Sequence, residues 1–111
     1  MIDVEKIEGE IVDSLKPLKP DKIILFGSYA YGKPNEDSDI DLFLIKDNLK
    51  KEQVRDEMLQ AQRLLWNLVK KYHIGFDVFV DSFDRIKYRV GNVKDQFYGK
   101  ILDNGKVIYE Q

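Results

Sequence analysis

The stretch that most limits what this chain can become is residues 23–45, IILFGSYAYGKPNEDSDIDLFLI. Residues 23–26 are a short apolar, β-branched run that reads as a buried strand, and Gly27-Ser28 ends it with a residue free to take positive φ and a small hydroxyl. Asp39-Ile40-Asp41 then opens a second apolar run that ends at Ile45. In a strand, residues two apart share a face, so Asp39 and Asp41 project one way while Ile40, Leu42 and Leu44 project the other, into a core. A one-residue slip would exchange the two sets, so the register and the chemistry stand or fall together.

Two carboxylates held that close raise each other's pKa and cost stability unless a cation lies between them. Mg²⁺ suits such a pair: it prefers hard oxygens, accepts one or two protein carboxylates and keeps positions for water and phosphate. The Gly27-Ser28 turn supplies the complementary half, since backbone N–H groups at a tight turn favour phosphate oxygens. Alone, a Gly-Ser turn or an Asp-x-Asp pair reads more readily as a common turn or a solvated strand edge. Together they give the layout for phosphoryl or nucleotidyl transfer, where a protein mainly positions reactants and neutralises charge.

At 111 residues the chain is expected to form a single domain, residues 1–111, with a modest core. A charged fraction of 34% beside 43% hydrophobic residues is that of a folded protein with a heavily charged surface. Eighteen basic and 20 acidic residues leave a net charge of −2, so no global footprint for nucleic acid exists, and a nucleic-acid substrate is disfavoured. There is no cysteine, which removes disulfides, thiolate metal sites and cysteine nucleophiles. With the single histidine, His73, read as a helix-end residue, neither a Ser-His-Asp triad nor a multi-histidine metal site has material. No window approaches a membrane span and no signal segment is apparent, so a cytoplasmic location is the default expectation.

Along the chain, Val4, Ile7, Ile11, Val12 and Leu15 fall at helical spacing, and Pro17 and Pro20 end that helix. A short helix is expected over 28–33, broken by the Gly32-Lys33-Pro34-Asn35 sequence. The longest helix is expected over 51–72, with Val54, Met58, Ala61, Leu65, Leu68 and Tyr72 as its core stripe. Leu59 and Trp66 miss that stripe, so they either flank a wide core face or form an outer strip for a subunit contact, a homo-oligomer included. Residues 75–80 alternate as a third strand, residues 81–89 read as a short helix or irregular segment, and residues 96–102 as a helix. Asn104-Gly105 turns the chain into a last strand at 106–109. Strands are thus expected at 22–27, 39–45, 75–80 and 106–109, with Ile24, Phe26, Ile40, Leu42, Leu44, Leu65 and Val78 buried.

The order strand, Gly-Ser, ten residues, Asp-x-Asp, strand resembles the signature of the nucleotidyltransferase superfamily that includes DNA polymerase β and kanamycin nucleotidyltransferase. It is most similar to the minimal nucleotidyltransferase (MNT) group. That resemblance implies an α+β fold, a small mixed β-sheet with helices packed mainly on one face. It also implies a third carboxylate on a strand beside the Asp-x-Asp strand, and Asp77 in IGFDVFV matches it by context; Asp81 lies at the strand end. The implied mechanism is in-line displacement on a nucleoside triphosphate, ATP by resemblance, with two Mg²⁺ ions. Asp39, Asp41 and Asp77 are the implied catalytic metal ligands, Asp77 also the general base, and Gly27, Ser28 and Lys33 the implied nucleotide-binding residues. Many relatives carry arginines shortly after Gly-Ser; here those places hold Tyr29 and Tyr31, and Lys33 substitutes only in part. Larger relatives add a helical acceptor domain, whereas minimal ones commonly rely on a helical HEPN partner. The pair then resembles a toxin–antitoxin system in which AMP is moved to a tyrosine of the HEPN protein. A non-catalytic nucleotide- or partner-binding subunit is the alternative reading.

Overall fold

The computed structural model describes residues 3–32, 38–94 and 96–111. Helix α1 spans Val4–Leu15, and Asp3 caps it by accepting a hydrogen bond from the Lys6 amide at 3.3 Å. Its buried residues, Ile7, Ile11 and Leu15, are spaced by four and so form one stripe. A tight turn at Lys16–Leu18, with Pro17 inside it, redirects the chain into strand β1, Lys22–Phe26. Strand β2 is Ile40–Ile45, α2 is Val54–Tyr72 and β3 is Phe76–Asp81. His73 does close α2, in the left-handed region at φ 54°. Helix α3, Phe83–Tyr88, begins where the Ser82 hydroxyl accepts from the Arg85 amide, and it runs into a wider turn at Arg89–Val93. Helix α4, Gln96–Asn104, leads to strand β4, Lys106–Glu110.

The sheet order is β3-β2-β1-β4, with β2 and β3 parallel and both other pairings antiparallel. A parallel pair needs a long crossover, and α2 supplies it. The larger core lies between the sheet and the two long helices. There Ile7, Ile11, Leu15, Leu65 and Leu68 meet Ile23, Leu25, Ile40, Leu42, Leu44 and Val78. The reverse face carries a smaller cluster of Ile24, Phe26 and Phe43 with Ile45, covered by Ile86 of α3 and Ile101 of α4. Both faces are therefore dry at the middle of the sheet, which is why 23–26 reads as a continuous apolar run rather than an alternation.

The expected helix at 28–33 is not formed as such: its described part is one 3₁₀ turn, Gly27–Tyr29, followed by a further turn through Gly32 at φ 77°. A positive φ there ends helical geometry. Leu59 and Trp66 are not flanks of a wide core face, for they stand 50% and 57% exposed on the outside of α2.

Candidate active site

Three strand ends meet where the chain places its carboxylates. Antiparallel pairing sets Asp41 opposite Phe26 on β1, and parallel pairing sets it opposite Asp77 on β3. Paired residues on neighbouring strands point to the same face, so Asp41 and Asp77 stand side by side, on strands roughly 4.8 Å apart. Burial pushes the Asp41 carboxyl up to about 6, helped next by the charge of Asp77 and a hydrogen bond to that carboxyl, and last by the Asp39 charge.

Two glycines make room for these side chains. A Cβ on Gly27 would lie 2.0 Å from Asp41 Oδ2, and the residue sits at φ 74°. The turn after β1 is thereby brought against the carboxylate of β2. Gly75, just before β3, does the same for Asp39, because a Cβ there would be 2.7 Å from Asp39 Oδ1. The Ile40 amide donates to the Gly75 carbonyl at 3.0 Å, fixing this approach. Tyr29, in the turn that Gly27 starts, has its phenol pushed up by burial and by the nearby Asp39 charge.

Asp81 is excluded from this group by its partners. It is 2% exposed, accepts from the Tyr98 hydroxyl at 3.1 Å and from the Ser82 amide at 2.9 Å, and lies 2.7 Å from Arg85 Nε. Four residues past Asp77 along a strand, it is roughly 13 Å away. Of the residues singled out from sequence, Asp39, Asp41 and Asp77 share one end of the sheet with Gly27 and Ser28, while Lys33 lies outside the described residues. Gly75 carries no motif in the sequence. Its only signal is its position immediately before the strand that carries Asp77.

The donor set fits a hard divalent cation. Asp41 and Asp77 present oxygens only, and the repulsion between neighbouring carboxylates that adds to the raised Asp41 pKa would be relieved by positive charge between them. Among the described residues no three acidic or imidazole side chains are gathered into a ready cage; the paired unit is Asp41 with Asp77, and Asp39 stands beside it against Gly75. A titration follows from this. The raised Asp41 pKa contributes stability below the unfolded value of 3.8 that is lost as pH rises through about 6. A cation must displace that proton, so the rise in melting temperature on adding Mg²⁺ should be small near pH 5 and full above about pH 7. Melting curves with and without Mg²⁺ check it; an increment that ignores pH across this range removes Asp41 from the cation site.

The family model described as "Polymerase beta, Nucleotidyltransferase" matches residues 9–111. The chain belongs to this nucleotidyltransferase family. A Methanocaldococcus jannaschii protein, provisionally named a protein adenylyltransferase, is 32% identical over 108 residues, covering 95% of this chain and 97% of that protein. Among solved structures, a provisionally named nucleotidyltransferase from Sulfolobus solfataricus aligns with a TM-score of 0.63 at 20% identity, over 96% of this chain and 79% of that one. A toxin–antitoxin structure containing AMP-PNP aligns with a TM-score of 0.56 at 22% identity. It covers 94% of this chain and 73% of the other, as does the MntA–HpeT toxin–antitoxin in a doubly mutated form, at 21% identity and the same TM-score. These likenesses bear out the fold and the resemblance to the MNT group. As a nucleotidyltransferase the chain is an enzyme.

Proposed function

We propose that this nucleotidyltransferase moves AMP from ATP to a tyrosine hydroxyl of a HEPN-type helical toxin, and so acts as the antitoxin of a pair. The observation that carries this reading is the register pairing of Asp41 with Asp77 against the close approach of Gly27. Asp39, Asp41 and Asp77 would hold two Mg²⁺ ions, which when bound neutralise phosphate charge and polarise the α-phosphorus. The turn amides at Gly27 and Ser28 would bind phosphate oxygens, with Lys33 adding charge. Asp77 takes the proton of the acceptor hydroxyl as that oxygen bonds to the α-phosphorus. The bond to the β-phosphate bridging oxygen breaks, and pyrophosphate leaves. The name of the Methanocaldococcus jannaschii relative supports a protein acceptor, and the toxin–antitoxin structures that share the fold support a toxin partner.

Leu59 and Trp66, exposed on one side of α2, would supply part of the contact with the partner or with a second copy of the chain. Among the described residues no helix is long and apolar enough to cross a membrane, in keeping with the cytoplasmic setting proposed for the pair. The test is to mix the protein with a cognate HEPN-like partner, ATP and Mg²⁺ and to weigh the partner. Added mass of one or more adenylyl groups is expected, and it should vanish with Asp39→Asn. An unmodified partner in a tight complex at saturating Mg-ATP would instead favour the binding-subunit reading.

A further inference from the structure

On the same face as the carboxylates, and directly beyond them, lies a set of aromatic rings that the chemistry above does not use. Phe79 follows Asp77 by two residues, hence on the same side of β3 and roughly 6.6 Å further along. Phe26 stands opposite Asp41. The two rings meet with centroids 5.9 Å apart, so they bridge over β2 beside the Asp41 carboxylate. Phe97, near the start of α4, meets both towards their edges, at 5.8 Å and 85° from Phe26 and at 5.3 Å and 65° from Phe79. Exposure grades from 8% at Phe26 through 36% at Phe79 to 44% at Phe97. The set therefore has a buried floor and an open rim.

The rim is held in place. The residue after Phe97, Tyr98, packs edge-on against Phe43 at 5.4 Å and donates its hydroxyl to buried Asp81, which also contacts Arg85. Asp81 thus ties α3 and α4 to β3, and this network sets where Phe97 stands. Ring faces fixed in this way lose little freedom when a ligand stacks on them.

We propose that Phe79 and Phe97, floored by Phe26, form the platform on which the nucleobase of the substrate stacks. This rests on the placement of the nucleotide phosphates at Gly27, Ser28 and the carboxylates proposed above. A nucleotide held there must direct its ribose and base away from the phosphates, and the aromatic set begins one pleat beyond Asp77, about the reach of a sugar. The rim is two phenylalanines only 36% and 44% exposed, far too little surface for the roughly 800 Å² per partner of a standard protein interface. The platform offers π surface and no hydrogen-bond reader, so it would tolerate different bases.

The experiment is calorimetric titration of the full chain with Mg²⁺ and, in turn, ATP, GTP and inorganic tripolyphosphate, alongside Phe79→Ala, Phe97→Ala and Phe97→Tyr. The expected result is that ATP and GTP bind similarly and both bind more tightly than tripolyphosphate. Each alanine variant should weaken both nucleotides by roughly five- to hundredfold and leave tripolyphosphate unchanged, while Phe97→Tyr restores nucleotide binding. Nucleotides no tighter than tripolyphosphate in the unaltered protein would overturn the platform alone. Equal weakening of all three ligands would also overturn it, by showing a merely structural role. So would alanine variants that keep nucleotide affinity but lose transfer to an acceptor, because the rings would then belong to the acceptor. If neither tripolyphosphate nor nucleotide binds, the phosphate placement itself fails and takes the platform with it.

Discussion

Asp41→Asn is expected to slow nucleotidyl transfer about a thousandfold or more, some 4 kcal/mol of transition-state stabilisation, while leaving the protein folded. The amide has nearly the volume of the carboxylate and can still hydrogen-bond to Asp77, so the pairing of β2 with β3 has no reason to open. What is lost is a negative charge that the fold holds at some expense. Burial and two neighbouring carboxylates disfavour ionised Asp41, so the variant without metal should melt at the same temperature as the parent near neutral pH, or higher. The stabilisation given by Mg²⁺ should fall away in the same sample. Pyrophosphate release and melting with and without Mg²⁺ separate these effects. Full ATP- and Mg²⁺-dependent turnover by Asp41→Asn would remove Asp41 from the role assigned to it.

Gly27→Ala should be nearly as damaging by a steric route. The new methyl would need the space of Asp41 Oδ2, 2.0 Å from where it must stand, and an alanine at φ 74° adds about 1–2 kcal/mol of backbone strain. The carboxylate has to move or the turn has to shift, and misplacing a catalytic group by about 1 Å can lose roughly a hundredfold in rate. Gly9 is the internal comparison. It lies within α1, and a Cβ there meets nothing within 4 Å, so Gly9→Ala should stabilise by about 0.5–1 kcal/mol without touching turnover. Unfolding midpoints in urea and initial rates for both variants measure the contrast. Unaltered turnover in Gly27→Ala would show that the close approach to Asp41 does not set the geometry of the reaction.

The alternation Asp39-Ile40-Asp41-Leu42 is legible in the amino-acid sequence because a half-apolar strand leaves one choice of face, and Ile40 and Leu42 are buried as that choice requires. All four strands are legible, β3 by alternation, β1 by a continuous apolar run and β4 by the Asn104-Gly105 turn before it, their observed bounds falling within a residue or so of the expected ones. Choosing Asp77 over Asp81 needs the order of positions within β3, and the register supports it: Asp77 faces Asp41, whereas Asp81 faces Ile45 and is taken up by Tyr98 and Arg85. Other features depend on contacts between distant segments, to which no local pattern points. Gly75 matters only because β3 starts against Asp39. Phe97 meets Phe79 only because α4 folds back over the reverse face, a placement that the period of α4 leaves undetermined. The short helix expected after Gly27-Ser28 shrinks to a single turn because a local preference over a few residues is weaker than the positive φ at Gly32.

The parallel pairing of β2 with β3 has a consequence for how the molecule comes into being. Strand β2 follows β1 after residues 27–39, but Asp77 reaches Asp41 only once the whole of α2 has been laid down, since the crossover must close before the parallel ladder can form. During synthesis a ribosome-bound chain that has already released Asp39 and Asp41 still lacks their counterpart. The Asp41–Asp77 pair is therefore complete only once the crossover through α2 has closed, so a variant whose crossover fails to pack should lack the pair altogether.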